Sequence, residues 1–252
     1  MVRCCRTLLL ALEYLKKIAE LILRQAQDDE IKSATVIDRR YNDQMAVRVK
    51  ICGITNLEDA SAAIDAGADA LGFILYPQSK RFIPIADAVA IVEKLPPFVQ
   101  TVAVSVNAVK EFTDLGYRKL LKKFGVAQLH GEESPAHVRA VGKYLPVIKV
   151  FPADKARLIN PSHYEVAAFM MDTPSQAYGG TGRIFDWDFA LEFKAKTKKP
   201  LILSGGLNPD NVAKAIEKVQ PYAVDVVTGV ELSPGRKDHA KVREFIRICK
   251  SL

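Results

Sequence analysis

From Val47 onward, short β-branched runs alternate with helical segments eight times, and this alternation limits the fold more than any other feature of the chain. The strand candidates are Val47–Ile51, Ala70–Leu75, Thr101–Val106, Val126–Leu129, Pro146–Phe151, Ala167–Met171, Leu201–Leu203 and Ala223–Val227. Most are close to continuous in apolar side chains. That is how a parallel strand buried on both faces reads, whereas a strand with one wet face would alternate. Thr55-Asn56-Leu57-Glu58 has the spacing of a capping box and opens a helix that stops at Gly67. Further helices are expected from about Ile85 to Lys94, through Lys110–Phe124, from Pro135, and from about Lys237 to Cys249. Asn208-Pro209 offers an N-cap and an N1 proline to one more.

Eight strand–helix units within residues 46–252 fit an α/β chain folded as a closed (β/α)8 TIM barrel, which takes ~200 to ~250 residues. A doubly wound open sheet is the alternative. It usually has fewer strands, and its nucleotide-binding form carries a glycine fingerprint after strand one, where this chain has Cys52-Gly53-Ile54-Thr55.

Residues 1–45 read differently. Leu8, Leu12, Leu15, Ile18 and Ile22 recur at helical spacing and predict an amphipathic helix from about Thr7 to Gln27, followed by a polar linker. Its apolar run, Leu8–Leu12, falls far short of the ~20 residues that span a bilayer, and Glu13 interrupts any signal-peptide pattern. The expected organisation is thus an N-terminal extension, 1–45, and a barrel domain, 46–252. Met45-Ala46-Val47 would itself serve as a start, so the extension also reads as sequence translated from an upstream codon.

Four cysteines without a CxxC and four scattered histidines without HExxH lead us to expect no metal site, and a reduced, cytoplasmic setting. The formal charge of +7 suits a small anionic substrate. The nearest approach to a basic run, Lys194–Lys199, reads as the solvated end of a helix, so neither a nucleic-acid nor a membrane partner is expected.

In a barrel the active site lies at the C-terminal ends of the strands. The glycine turns after strands seven and eight, Ser204-Gly205-Gly206 and Thr228-Gly229, suit a phosphate, because glycine lets backbone amides approach an anion. Gly179-Gly180-Thr181-Gly182 reads as a loop over the site, and neither nucleotide fingerprint is met. Cys52 and Asp172 end strands one and six. By themselves they read as readily as a buried small hydrophobe and an N-cap; together they offer a base and an acid, once their pKa values move from ~8.5 and ~3.9. Arg81 could grip a carboxylate bidentately or stand as a solvated loop arginine. From the residues alone, the chain is an acid–base enzyme for a phosphorylated, carboxylated small molecule.

Val49-Lys50-Ile51-Cys52-Gly53-Ile54-Thr55, Gly72-Phe73-Ile74-Leu75 with Ser79-Lys80-Arg81, and Gln128-Leu129-His130-Gly131 occur in that order. Asp172, Gly179-Gly180-Thr181-Gly182, Ser204-Gly205-Gly206-Leu207 and Gly229-Val230-Glu231 continue the series. Together they resemble the phosphoribosylanthranilate isomerases of tryptophan biosynthesis, from Met45 to Leu252. The resemblance implies an Amadori rearrangement without metal or organic cofactor. It implies Asp172 as general acid, Cys52 as general base and Arg81 on the anthranilate carboxylate. Gly205, Gly206, Thr228 and Gly229 would cradle the phosphate, and His130 and Asp225 are candidates for the pocket wall. Relatives commonly carry two serines where this chain has Val227-Thr228; Thr228 keeps a hydroxyl, so phosphate binding is still expected. Two rival readings are the related aminoaldose isomerase of histidine biosynthesis, which has an Asp where Cys52 stands, and a non-catalytic phosphosugar-binding barrel, which needs neither acid nor base.

Overall fold

The computed structural model describes residues 46–108, 114–155, 157–174 and 184–252. The helix expected over Thr7–Gln27 and the Gly179–Gly182 loop lie outside the described residues. Eight parallel strands close into a barrel in sequence order. They are β1 (Arg48–Cys52), β2 (Ala70–Ile74), β3 (Gln100–Ser105), β4 (Val126–Leu129), β5 (Val147–Pro152), β6 (Ala168–Asp172), β7 (Leu201–Leu203) and β8 (Ala223–Val226). Closure is made by β1 against β8, with Val49 opposite Val224 and Ile51 opposite Val226. Closure leaves no open sheet edge.

Around the strands stand α1 (Leu57–Asp65), α2 (Ile85–Val92), α3 (Leu115–Leu121), α4 (Pro135–Gly142), α5 (Asp188–Lys194), α6 (Val212–Val219) and α7 (His239–Lys250). Several starts have a direct chemical cause. The side chains of Asp114, Ser134 and Asp238 accept hydrogen bonds from backbone amides of the first turns of α3, α4 and α7. Pro135 stands at the head of α4, where its missing N–H costs nothing.

Three local expectations need correction. The cap of α1 is Asn56, whose Oδ1 accepts from the Asp59 amide, and Thr55 instead donates its hydroxyl to the Gly235 carbonyl 2.6 Å away. A contact 180 residues distant therefore takes the hydroxyl that the capping box would have used. Asn208-Pro209 forms a turn ahead of α6, and Asn211 precedes the helix. Among the described residues after β5 there are two 3-10 turns, Ala153–Lys155 and Pro161–His163, where the alternation anticipates a helix. Pro152 and Pro161 bracket that segment, and a proline disfavours helical backbone at the residue before it. Between β8 and α7 a short hairpin also appears, β9 (Glu231–Ser233) with β10 (Arg236–Lys237), turning through Gly235 at φ +83°.

The main core lies between the strands and the helices. Phe151 and Phe169 point outward from β5 and β6 to meet Phe193 of α5, with the Phe169 and Phe193 rings edge to face at 5.2 Å. Full burial of each such ring contributes about 1.5–3 kcal/mol, and the ring contacts add about 0.5–1.5 kcal/mol. Side chains of opposite parity fill the barrel. Ile148, Val150, Ala168, Met170, Ile202 and Ala223 form one apolar cluster, and Cys52, Val102 and Val104 another. Among the described residues, no helix is long and apolar enough to cross a membrane.

Candidate active site

Side chains two apart on a strand share a face, so Lys50 and Cys52 both enter the barrel from β1. Their neighbour on β2 is Gly72, paired with Cys52 in register. A Cβ at Gly72 would lie 2.6 Å from the Cys52 Sγ and 2.9 Å from the Lys50 Nζ, so only glycine leaves room for both. Lys50 Nζ donates to Asp225 Oδ1 at 2.6 Å, and the Ser204 hydroxyl donates to Asp225 Oδ2 at 3.1 Å. All four side chains are buried. Burial pushes the Cys52 thiol above its ordinary pKa; Lys50 and Lys237 pull it down, and Asp225 pushes it up again. Burial also opposes the charge on Lys50, yet Asp225 and the thiol together raise its pKa.

A second ionic group lies on the other side of Cys52. Arg81 grips Glu231 with Nε and Nη2, the shortest contact being 2.7 Å. Lys237 Nζ donates both to Glu231 Oε1, at 3.0 Å, and to the Cys52 carbonyl, at 2.6 Å. Burial opposes ionisation of Glu231, but its hydrogen bond to Arg81 and the charge of Lys237 hold its carboxyl below the usual range. Arg81 is therefore a buried, paired residue and not a solvated one.

At the end of β6, Asp172 Oδ2 lies 3.1 Å from His130 Nε2, and Oδ1 accepts from the Thr173 amide at 2.7 Å. Gly205 (φ +87°) packs against this corner, since a Cβ there would be 2.4 Å from the Thr173 hydroxyl and 3.0 Å from Asp172 Oδ1. Gly206 also has positive φ, and its carbonyl accepts from Asn211. Thr228-Gly229-Val230 forms a 3-10 turn that presses on the loop after β7, where a Cβ at Gly229 would be 2.0 Å from the Leu207 carbonyl. The two glycine turns are thus in contact, and both stand at the C-terminal ends of their strands.

A cavity of about 890 Å³ opens beside Asp172, walled by His130, Glu132, Pro152, Lys155, Tyr164 and Thr173 among others. That volume is within the range of small-molecule pockets. Its described wall comes from β4 to β6, and Cys52 and Arg81 are not part of it. The link to Cys52 runs through the turn after β7: Gly205 touches Asp172, and the adjacent Ser204 holds Asp225, which holds Lys50. Among the described residues, no group of three or more His, Cys, Asp or Glu side chains is placed to bind a metal ion.

Sequence reasoning assigns nothing to Lys50, Glu231 and Lys237. A usable signal exists for Lys50, a charge inside the strand two residues before Cys52 and so on the same face. None exists for Lys237, which comes to Cys52 only through the β9–β10 hairpin.

A family model described as N-(5'-phosphoribosyl)anthranilate (PRA) isomerase matches residues 49–248. The N-(5'-phosphoribosyl)anthranilate isomerase of Geobacter metallireducens is 50% identical over 207 residues, covering 81% of this chain and 100% of the relative. The crystal structure of phosphoribosyl anthranilate isomerase from Thermotoga maritima is 44% identical and superposes with a TM-score of 0.73, covering 82% of this chain and all of that one. Another phosphoribosyl anthranilate isomerase, solved in complex with reduced 1-(o-carboxyphenylamino)-1-deoxyribulose 5-phosphate, is 42% identical with a TM-score of 0.71, over 82% of this chain and 100% of that chain. With the match extending from β1 into α7, this chain belongs to the N-(5'-phosphoribosyl)anthranilate isomerase family.

Proposed function

We propose that the barrel converts N-(5-phosphoribosyl)anthranilate to 1-(2-carboxyphenylamino)-1-deoxyribulose 5-phosphate in tryptophan biosynthesis, with Asp172 as acid and Cys52 as base. Asp172 protonates the furanose ring oxygen, the C1′–oxygen bond breaks, and the anthranilate nitrogen supplies the electron pair that forms the Schiff base. The Cys52 thiolate then removes the C2′ proton. The resulting enolamine takes a proton at C1′ and loses its hydroxyl proton to give the ketone. The substrate's own nitrogen is the electron sink, so the scheme calls for no cofactor.

The remaining residues bind. Backbone amides around Gly205, Gly206, Thr228 and Gly229 take the phosphate, and the contact between the two turns makes them one cradle. Glu231 engages the Nε–Nη2 edge of Arg81, which leaves Nη1 to reach toward the substrate carboxylate. His130 orients the Asp172 carboxyl from 3.1 Å. Asp225 bears on the reaction through Lys50. We assign catalysis to residues 46–252 and the enzyme to the cytoplasm.

One observation supports this reading above the rest: a buried thiol and a carboxyl end two strands of one barrel at the same mouth, each with its own polar partners. Binding alone would require neither group. The test is the fluorescence-monitored consumption of freshly made phosphoribosylanthranilate. Cys52→Ser and Asp172→Asn should each lose about 10²–10⁴-fold in kcat with folding intact. Wild-type turnover in both variants would leave a phosphosugar-binding barrel as the better description.

A further inference from the structure

We propose that Lys50, held in place by Asp225, is the positioning residue that keeps the Cys52 thiol ready to lose its proton. The proposal rests on Cys52 being the base, and extends that reading to the groups that make it one.

The geometry is specific. Lys50 and Cys52 share the niche left by the missing side chain of Gly72, with Nζ and Sγ each within 3 Å of where its Cβ would be. Asp225, 175 residues away in sequence, fixes Nζ at 2.6 Å and is itself held by Ser204. The ammonium acts on the thiol through its charge, from within the same niche. Surface lysines are solvated and mobile; this one is buried, and its position is set by a carboxylate that also supports its charge.

The charges around the thiol favour its ionisation as a set. From β1 comes Lys50, from β8 Asp225, and from the β9–β10 hairpin Lys237, which also pairs with Glu231. Glu231 in turn holds Arg81, which follows β2. The apolar cluster that holds Cys52 adds Val102 and Val104 of β3, with Ala70, Ile74, Val126 and Val227 packed against it. Lys50, Lys237 and Arg81 oppose Asp225 and Glu231, so the neutral thiol leaves one positive charge uncompensated in a buried region. The thiolate cancels it. Lys237 is tied to the Cys52 carbonyl and Glu231, which leaves Lys50 as the cation aimed at the sulfur.

Two comparisons test the lysine and the carboxylate that holds it. Lys50→Met removes the cation and leaves Asp225 facing the sulfur, so the thiol should titrate at higher pH. In the Asp225→Asn background the lysine loses the carboxylate that sets its position and supports its charge, so the same Lys50→Met change should displace the thiol's titration by less. The Cys52 ¹³Cβ signal of cysteine-labelled full-length enzyme reads this directly, with Cys52→Ser assigning the resonance. We expect a rise of about one pH unit or more for Lys50→Met. Its kcat at neutral pH should fall about tenfold per unit and recover as the pH is raised, with KM within about twofold of wild type. A loss that is the same at every pH would mark a purely structural residue. A raised midpoint in Lys50→Met that shrinks in the Asp225→Asn background supports the proposal; an unchanged or lowered midpoint in Lys50→Met, or an equal rise in both backgrounds, overturns it. Should Lys50→Met not fold, Lys50→Gln, which keeps a donor for Asp225 without the charge, replaces it: a higher midpoint supports the proposal, and an equal or lower one overturns it. Full activity in Cys52→Ser would instead overturn the assignment of the base, an outcome distinct from every one above.

Discussion

Lys50 and Lys149 are both buried lysines in strands of one barrel, 3% and 1% exposed, and each has a carboxylate partner within 2.8 Å. Lys50 points into the barrel and Lys149 points out of it. Lys149 sits between the inward Ile148 and Val150, and its Nζ donates to Glu133 at 2.8 Å and to the carbonyls of Gly131 and Val150. Glu133 also accepts from the amides of Asn107 and Gly131, so the pair clamps together the loops after β3 and β4. Burial dominates the pKa of Lys149 and lowers it, whereas around Lys50 the carboxylate and the thiol outweigh burial. Strand parity thus separates two uses of one residue type. On the outside a buried lysine holds backbone together; on the inside it sets the charge around a reacting group.

Three measurements would break or sharpen that contrast. The largest effect is expected from Lys149→Met, which strands the Glu133 carboxylate and should cost about 3–5 kcal/mol in a urea unfolding experiment. Turnover per folded molecule should stay near wild type; if it collapses while stability holds, the outward lysine is not merely a clamp. A smaller effect is expected at Gly72. Its replacement by Ala forces Cys52 Sγ and Lys50 Nζ apart, at about 1–3 kcal/mol of stability, together with a fall in kcat. An unchanged kcat would show that the shared niche is unimportant to chemistry. The smallest belongs to Ser134→Ala, which removes the cap of α4, the helix following the clamped loop, for about 1 kcal/mol. Its kcat should not move, since the cap touches neither lysine.

Much of this arrangement is legible in the order of the amino acids. Runs such as Val126–Leu129 and Leu201–Leu203 carry little alternation because both faces are buried; that pattern indicates a parallel sheet, and its eight repeats favour a barrel over an open sheet. Once the barrel is granted, Cys52 and Asp172 must stand at its mouth, because both directly end apolar strands. Where the sequence misleads, the causes are physical too. Thr55 resembles a cap because capping is judged within four residues, yet its hydroxyl is taken by Gly235 from the far end of the chain. Among the described residues after β5 the chain makes 3-10 turns, and Pro161 disfavours helical backbone at Asn160. Arg81 reads equally as solvated or functional because nothing nearby in sequence announces Glu231, 150 residues on.

By itself, then, the chain determined the order of strands and which side chains follow them at the mouth, since these depend on the local apolar pattern. Only the tertiary structure decided which charges meet. Lys50 finds Asp225, and Lys237 finds the Cys52 carbonyl 185 residues away, because β8 closes on β1 and the hairpin after β8 folds back over it. Coulomb energy between two groups depends on their separation in space and on the water excluded between them. Neither quantity exists until the barrel has closed.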